Sequence, residues 1–384
     1  MNTTATTARP IRVLHVIQNL NYGGMERLLA DLVRRLDPAR FESHILALQY
    51  FGRFAEGLEE YATLHRSQPL PRWTMFWPGP VRERIRRIDP EIVHSHTGVW
   101  YKASLAASQA GVPRIIHTEH GRRSPDPWSD RWQDGRAARR TDVVVAVSEA
   151  LARQMERTVV KWTAPIRVIT GGVDTDRFRP RPETGALRRE LGIPPEAPII
   201  GSIGRLEPVK GYEIMVRAFA RLVEGQTEGE RPHLVIAGDG SERNRLLRLA
   251  ADLGVEEWVR LPGWRDDSAE LYAAFALFTM SSHSEGTSVS LLEAMSAGLC
   301  PVVTRVGGNA DVLGPGLEHR LVPPDDPVAL ASAWRTALAD PGRRTLDGAA
   351  SRARVLERFD VGRMVRRYED LYTERPSRIA RRAG

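Results

Sequence analysis

The sequence predicts an α/β protein with two domains, each built around a parallel β-sheet. The chain has 384 residues, which is more than one hydrophobic core usually serves. Short aliphatic runs alternate along it with segments of helical periodicity, a pattern typical of strands joined by crossover helices. A segment rich in glycine, proline and aspartate, residues 168–185, separates two such series and predicts a linker between the domains.

The first series predicts a domain over residues 1–180. Its first aliphatic run, 11–17, is typical of a buried strand, and the segment 23–36 that follows repeats leucine at helical spacing. Because helical stretches separate most of the later aliphatic runs as well, the strands are expected to be parallel. These further strand candidates are residues 42–48, 91–96, 114–120 and 142–148.

The second series predicts a domain over residues 181–359. Two domains of this kind leave a cleft between them, and ligands of such sheets bind beyond the carboxyl ends of the strands. The loops after the strands are therefore the places where a site is expected. The strand candidates of this domain are residues 197–206, 233–240, 257–264, 277–282 and 300–305.

The positive charge of the chain belongs to its first half. Residues 1–185 carry 28 basic and 20 acidic side chains, and the remainder carries 27 and 28, so the net charge of +7 divides into +8 and −1. Such a field attracts nucleic acid, anionic substrates or anionic membranes. No recognised nucleic-acid-binding module is present, so nucleic acid is not expected as a partner.

Three features predict a cytoplasmic location. Cys300 is the only cysteine, which excludes an internal disulfide and fits a reducing compartment. The first ten residues are polar and lack the apolar core of a signal peptide. No uncharged apolar run approaches the roughly 18 residues that a membrane span needs.

The loop 204–211, which follows a strand, carries Arg205 and Lys210. Two cations there suit a pyrophosphate, since an arginine fork binds two oxygens and a lysine adds a mobile point charge. A solvated basic loop is the alternative, although lysine is rare in this chain. Further on, Asp239 and Gly240 form a pair common in turns, which is either only a turn or a close approach of backbone to a ligand.

The stretch 282–294 holds two glutamates eight positions apart, Glu285 and Glu293. Glu285 lies in a strand-to-helix loop, and Thr287 or Ser288 is expected to cap the helix that follows. The backbone N–H groups of Gly286, Thr287 and Ser288 would then form an anion site.

Glu293 lies about two turns further along the same predicted helix. A carboxylate at this position suits the two hydroxyls of a ribose. The alternative is a capping box, in which Glu293 pairs with Ser290.

The ordered set of motifs resembles the retaining family 4 (group 1) glycosyltransferases of GT-B fold, in which two Rossmann-like domains face each other across a cleft. The motifs are GRLEPVKG, AGDG, SEGTSVSLLEAMSAG and CPVVTRVGGNADVL, with GGMER near the N-terminus and GGVDTDRFRP between the domains. The resemblance covers residues 11–372. It implies that the C-terminal helix, within 360–384, crosses back to the first domain.

The resemblance also implies a role for each matching residue. Arg205 and Lys210 would bind the donor diphosphate, Glu285 would contact the sugar and Glu293 would hold the ribose. The N–H groups after Glu285 would hold the distal phosphate, and a sugar would pass from its nucleotide with retention of configuration. No metal or other cofactor is expected, because the cations and the helix N-terminus supply the positive field.

In the first domain, the resemblance implies that Gly23 and Gly24 let their loop approach the diphosphate. His120 matches the family histidine that faces the sugar. Two departures stand out: Thr170-Gly171-Gly172 replaces Pro-Asn-Gly, and Asp311 replaces the usual glutamate. Glu119, which precedes His120, is expected to raise the histidine's pKa.

Other mechanisms remain open. Asp174 and Asp176 form an Asp-x-Asp pair that would chelate a metal in another class of glycosyltransferase, although they lie in a linker. Four histidines, His94, His96, His117 and His120, suggest zinc as a less favoured alternative. A dinucleotide enzyme is disfavoured because the first glycine loop lacks the G-x-G-x-x-G spacing. A related sugar-nucleotide-binding protein without activity would differ only at the site.

Residues 73–87 are a candidate membrane surface. Trp73, Phe76 and Trp77 precede four arginines at positions 82, 84, 86 and 87. Aromatic and arginine side chains together suit anionic lipid headgroups, near a lipid-linked or polysaccharide acceptor at the cytoplasmic face. The equal alternative is a solvated helix with its aromatic side chains in the core.

Overall fold

A computed structural model describes residues 9–21, 23–66, 78–122, 127–159, 164–227, 229 and 231–374. These divide into two compact units, residues 9–170 with 364–374, and residues 171–363. The boundary lies before the position 180 expected from the sequence. Val173 and Phe178 of the predicted linker explain the difference, because both are buried in the core of the second unit.

The first unit is built on a seven-stranded sheet in which every pair of neighbours is parallel. The strand order is β3-β2-β1-β4-β5-β6-β7, so the order reverses between β1 and β4. The strands are β1 (Ile11–Leu20), β2 (Phe41–Phe51), β3 (Thr63–Arg66), β4 (Ile92–His96), β5 (Arg114–Glu119), β6 (Val143–Ala146) and β7 (Ile166–Val168).

Amphipathic helices cover this sheet. In the second of them, Val81, Ile85 and Ile88 are buried against the sheet, because they repeat at helical spacing. The helices are α1 (Gly24–Val33), α2 (Gly79–Ile88), α3 (Trp100–Ala110), α4 (Trp128–Ala138) and α5 (Glu149–Thr158). The last helix among the described residues, Val361–Thr373, also reaches this unit, where Tyr368 and Tyr372 are buried.

The second unit has a six-stranded parallel sheet of order β10-β9-β8-β11-β12-β13. The order reverses between β8 and β11, and ligands of open α/β sheets bind beyond the strand ends at such a point. The strands are β8 (Ile199–Ile203), β9 (His233–Ala237), β10 (Val259–Gly263), β11 (Leu277–Met280), β12 (Pro301–Thr304) and β13 (Leu321–Val322).

Helices follow the strands of the second unit. The loops that carry Arg205, Lys210 and Glu285 lie between β8 and α7 and between β11 and α10, and β8 and β11 are the two strands that meet at the switch point. The helices are α6 (Ala186–Leu191), α7 (Tyr212–Val223), α8 (Arg243–Asp252), α9 (Ser268–Ala274), α10 (Val289–Ser296), α11 (Asn309–Leu313), α12 (Pro327–Ala339) and α13 (Pro341–Arg358).

Candidate active site

The switch point of the second unit brings Lys210 and Glu285 together. The Lys210 ammonium lies 2.7 Å from Glu285 Oε1, and the Ser282 hydroxyl donates to the same oxygen at 2.6 Å. The Glu285 side chain is only 8% exposed and that of Lys210 20%. The pair is therefore partly desolvated, so its attraction is stronger than that of a surface ion pair.

Contacts between the two loops hold this pair in place. The Ser281 hydroxyl donates to the backbone carbonyl of Lys210 at 3.1 Å and to that of Gly211 at 2.9 Å. Gly211 has φ of +60°, and a Cβ there would lie 2.3 Å from the Ser281 carbonyl oxygen. Glycine is therefore required for the two strand ends to approach each other.

A third loop, after β12, supports the backbone of Glu285. The Gly308 N–H donates to the Gly286 carbonyl at 3.0 Å, and the Thr304 hydroxyl donates to the Ser282 carbonyl at 2.8 Å. A Cβ on Gly307 would lie 1.7 Å from the Glu285 carbonyl oxygen. The role of these glycines is not among the predictions made from the sequence, although the motif CPVVTRVGGNADVL shows a Gly-Gly pair just after a strand.

We expect Gly307→Ala to displace the Glu285 loop and to lower turnover at least about tenfold. A side chain at this positive φ also strains the backbone and lowers the stability of the fold by roughly 1–2 kcal/mol. Gly254→Ala is the matched control. Gly254 also has positive φ, +65°, but a Cβ there would meet no atom within 4 Å. Turnover and thermal unfolding of both variants are the measurements. Equal turnover in the two variants would contradict a positioning role for Gly307.

Helix α10 begins at Val289, and Ser288 is its N-cap, as the sequence predicts. The Leu291 N–H donates to the Ser288 hydroxyl at 3.4 Å. Since Leu291 occupies the third helical position, the capping-box alternative for Glu293 is wrong. Gly286 and Thr287 lie just before the cap.

Glu293 is buried inside the second unit. Its carboxylate Oε2 accepts a hydrogen bond of 2.9 Å from the Tyr272 hydroxyl, which also lies 3.1 Å from the Ser290 carbonyl. Tyr272 fixes the orientation of the carboxylate, since its own ring is fully buried. No motif points to this tyrosine, which is 21 residues away from Glu293 in the sequence.

Arg205 has an exposed side chain in the loop after β8. Within the described part of the chain, no carboxylate pairs with its guanidinium. Gly240 lies beside the same loop, and a Cβ there would lie 2.5 Å from the Leu206 carbonyl oxygen. The Leu206 N–H in turn donates to the Asp239 carbonyl at 2.9 Å, so the close approach at Gly240 is to the Arg205 loop itself.

In the first unit, His120 follows the end of β5. Its backbone N–H donates to the Thr97 hydroxyl at 2.7 Å, and its Nε2 lies 3.2 Å from Nδ1 of His96. Among the described residues, the buried Nδ1 of His120 has no hydrogen-bond partner. The ring is thus held on one side, and its other nitrogen is buried.

The ionisation of His120 differs from the sequence-based expectation. Burial lowers the pKa of His120 to about 4, although the charge of Glu119 acts in the opposite direction. Burial would also raise the pKa of Glu119, but His117 and Arg122 outweigh it and lower that pKa to about 2. His120 is therefore neutral at physiological pH: Glu119 acts in the expected direction, but burial outweighs it.

The histidines do not group as the zinc alternative requires. His15, His94 and His96 have ring nitrogens within 4.8 Å of one another, and no other group of three such ligands occurs among the described residues. His94 Nδ1 and Nε2 lie 2.7 Å from the Tyr372 and Thr118 hydroxyls respectively. His94 is therefore already hydrogen-bonded on both sides.

Two other predicted features have local partners. Gly23 precedes α1 as its N-cap and accepts from the Arg27 N–H at 3.1 Å, and Gly24 is the first residue of the helix. The Asp174 carboxylate accepts from the backbone N–H groups of Asp176 and Arg177 at 3.1 and 2.9 Å. This is a turn in which Asp174 is engaged with backbone, rather than a chelate.

The predicted membrane surface lies only partly within the described residues. Trp73, Phe76 and Trp77 lie outside them. The arginines belong to α2, where Arg82 and Arg86 both pair with Glu83, at 3.2 and 3.4 Å. No helix among the described residues is long and apolar enough to span a bilayer.

Comparison with known proteins identifies two family models. The model of glycosyltransferase family 4 matches residues 22–177, and the model of group 1 glycosyl transferases matches residues 183–354. The D-inositol 3-phosphate glycosyltransferase of Thermobispora bispora is 29% identical over 398 residues, covering 94% of this chain and 91% of its own. The lipopolysaccharide core biosynthesis glycosyltransferase LpsE of Rhizobium meliloti is 32% identical over 230 residues, covering 58% and 64%.

Solved structures show the same fold. The Anabaena protein Alr3699/HepE, solved with UDP-glucose, superimposes with a TM-score of 0.81 at 22% identity, covering 95% of this chain and 100% of its own. WaaG, a glycosyltransferase of lipopolysaccharide biosynthesis, gives 0.74 at 16% identity, covering 94% and 99%. Since the two family models together match most of the sequence, the chain belongs to the group 1 glycosyltransferases of family 4 and has their GT-B fold.

Proposed function

We propose that the chain transfers a sugar from a nucleotide-diphosphate sugar to an acceptor with retention of anomeric configuration. The Lys210–Glu285 pair at the switch point of the second unit carries this proposal. The structural neighbour HepE was solved with UDP and with UDP-glucose, which supports a nucleotide-sugar donor. The motif resemblance supports retention.

The donor diphosphate would be bound by Arg205 and Lys210, with the N–H groups of Gly286, Thr287 and Ser288 on its distal phosphate. Lys210 is already held by Glu285, which supports a site organised before the donor arrives. These groups would therefore stabilise the charge that develops on the leaving diphosphate without reorganisation. We propose on the same grounds that no metal ion or other cofactor takes part.

Glu285 would contact the sugar, because its carboxylate lies beside the cation that would hold the leaving group. Glu293 would accept hydrogen bonds from the ribose hydroxyls, with Tyr272 fixing its orientation. On the acceptor side, neutral His120 would contact the sugar, and Gly23 and Gly24 would let their loop approach the diphosphate.

The acceptor is proposed to be a lipid-linked or polysaccharide precursor at the cytoplasmic face of the membrane. LpsE, a relative, acts in lipopolysaccharide core biosynthesis, which supports an envelope glycan. The arginines of residues 73–87 and the positive charge of the first half of the chain suit an anionic surface there.

A screen of UDP, GDP and ADP sugars by thermal shift tests the donor. NMR of the product from the best donor then tests the stereochemistry. We expect one nucleotide class to stabilise the protein, and the product to keep the donor's anomeric configuration in the presence of EDTA. An inverted product would refute retention, and a stoichiometric, EDTA-sensitive metal would refute the metal-free mechanism. A shift without any turnover would indicate a binding protein.

The variant Tyr272→Phe tests the role of Glu293. It removes the hydroxyl that donates to the carboxylate, so we expect the donor KM to rise roughly 3–10-fold with kcat within about twofold of wild type. Steady-state kinetics with varied donor measure both constants. A fall in kcat at unchanged KM would place Glu293 in the chemical step instead of at the ribose.

A further inference from the structure

Helix α4 (Trp128–Ala138) presents two exposed tryptophans one turn apart. Trp128 is 76% exposed and Trp132 48%, and they are the only exposed tryptophans among the described residues. The other described tryptophans are buried or half-buried, as this large apolar side chain usually is. Two exposed indoles on one helix therefore call for an explanation beyond folding.

The same face of the helix is basic. At about 100° per residue, Arg131, Arg136 and Arg139 fall within one third of a turn of the two indoles, and all three are exposed. The Arg136 guanidinium lies 4.1 Å from the centre of the Trp132 ring. We name this set of five residues the α4 face; it contains no acidic side chain.

The acidic residues of α4 lie on other sides of the helix. Asp134 Oδ2 lies 2.8 Å from Arg122 Nη2, and Arg122 Nη1 lies 3.1 Å from Glu119 at the end of β5. Asp130 projects away from the α4 face and accepts from the Ser129 hydroxyl at 3.1 Å. The helix is thus anchored to the sheet through Asp134, and its charge is asymmetric about its axis.

We propose that the α4 face docks on an anionic lipid surface. Indoles prefer the boundary between headgroups and acyl chains, and arginines bind lipid phosphates while covering apolar surface with their stems. One face of the Trp132 ring is already occupied by Arg136, which leaves less room for stacking on a nucleic-acid base. The pairing of indoles with cations therefore favours a membrane over RNA or DNA.

Docking through α4 has a consequence for the site, which rests on the proposed function. The chain of contacts from Asp134 through Arg122 to Glu119 ends one residue before His120. A membrane bound at α4 would therefore lie close to the end of β5. An acceptor carried in that membrane would need only a short reach to His120.

Vesicle flotation with two variants tests the docking. One variant is Trp128→Ala/Trp132→Ala and the other is Arg131→Gln/Arg136→Gln/Arg139→Gln. The matched control is Val328→Ala/Leu346→Ala, which removes two exposed apolar side chains from the second unit. The vesicles contain phosphatidylcholine alone or with about one third phosphatidylglycerol, at low and high salt.

Wild type and the control are expected to float with the anionic vesicles at low salt. The arginine variant should bind them roughly 100-fold more weakly, because each of its three lost charges weakens binding roughly fivefold, and the tryptophan variant at least about tenfold more weakly. Absence of wild-type binding would overturn the proposal, as would wild-type-like flotation of both variants or equal binding to neutral vesicles. Tighter binding to an RNA oligonucleotide, lost in the arginine variant, would overturn it too.

Donor binding without vesicles separates this test from that of the proposed function. None of the substituted residues belongs to the proposed donor site, so every variant is expected to bind the nucleotide sugar like wild type. Loss of flotation with intact donor binding supports docking through α4. If wild type and the variants float as expected but none of them binds a nucleotide sugar, the proposed function is refuted and the docking proposal stands.

Discussion

Replacing Lys210 by alanine is expected to lower kcat/KM at least about 100-fold and to weaken donor binding as well. The ammonium that lies 2.7 Å from Glu285 would be gone. A nearly buried carboxylate would then face the incoming diphosphate without a counter-ion, and the two negative charges would repel each other. Both losses follow from one substitution, because Lys210 is the counter-ion of Glu285 and would also bind the donor diphosphate.

The variant Glu285→Gln is expected to behave differently. It keeps the shape of the side chain but removes the charge that holds Lys210, so the lysine is released to the diphosphate. Donor affinity should therefore stay at or above that of wild type, while turnover falls at least about 100-fold.

Kinetics and direct donor binding distinguish these two variants. The matched control is Arg217→Ala, an exposed arginine on α7, which should resemble wild type in both measurements. Donor affinity that is unchanged in Lys210→Ala would contradict the diphosphate role. Wild-type turnover in Glu285→Gln would remove Glu285 from the chemistry.

Acid is expected to destabilise the first unit well before the second. Burial lowers the pKa of His15 to about 3 and that of His120 to about 4, and it lowers the pKa of His94 and His96 well below 6.5. At pH values between those pKa values and 6.5, the pKa of an unfolded histidine, the unfolded chain binds more protons than the folded chain. The contribution of these histidines to stability is therefore fully present above pH 6.5 and is lost as the pH falls toward 4.

The effect is large against the stability of a domain. His15 and His120, which stay neutral in the folded state, each cost about 2 kcal/mol at pH 5, so together they cost about 4 kcal/mol against a typical total of about 5–15, and His94 and His96 act in the same direction. Calorimetry between pH 7.5 and 5 should show one of two transitions moving to much lower temperature.

A variant identifies the histidines as the cause. His15→Asn removes one of the buried titrating groups, so the slope of unfolding free energy against pH should fall by about one proton, whatever the change in absolute stability. A slope unchanged by the substitution, or a first transition that does not move between pH 7.5 and 5, would contradict this account.

The sequence predicted the strands that carry the site. The aliphatic runs of β8 and β11 are continuous because both faces of a parallel strand are buried, so Arg205, Lys210 and Glu285 were placed at strand ends without a structure. Strands β3, β7 and β13 were not predicted. Each is the outermost strand of its sheet and two to four residues long, so pairing with a neighbour stabilises it more than any local pattern.

Contacts between distant parts of the chain explain what the sequence did not show. Lys210 and Glu285 are 75 positions apart, and only the parallel pairing of β8 with β11 makes them an ion pair. His94 meets Tyr372 across 278 positions. Such long-range packing also buries His120 and lowers its pKa. The neighbouring Glu119, which is visible in the sequence, acts to raise that pKa but is outweighed.

Titration calorimetry of the matching nucleotide-diphosphate sugar in the presence of EDTA tests the central claim most directly. The claim is that the loops after β8 and β11 hold the donor diphosphate without a metal. Wild type should bind one equivalent, and Arg205→Ala and Lys210→Ala should each bind at least about tenfold more weakly. Wild-type affinity in both variants, or binding that EDTA abolishes, would contradict it.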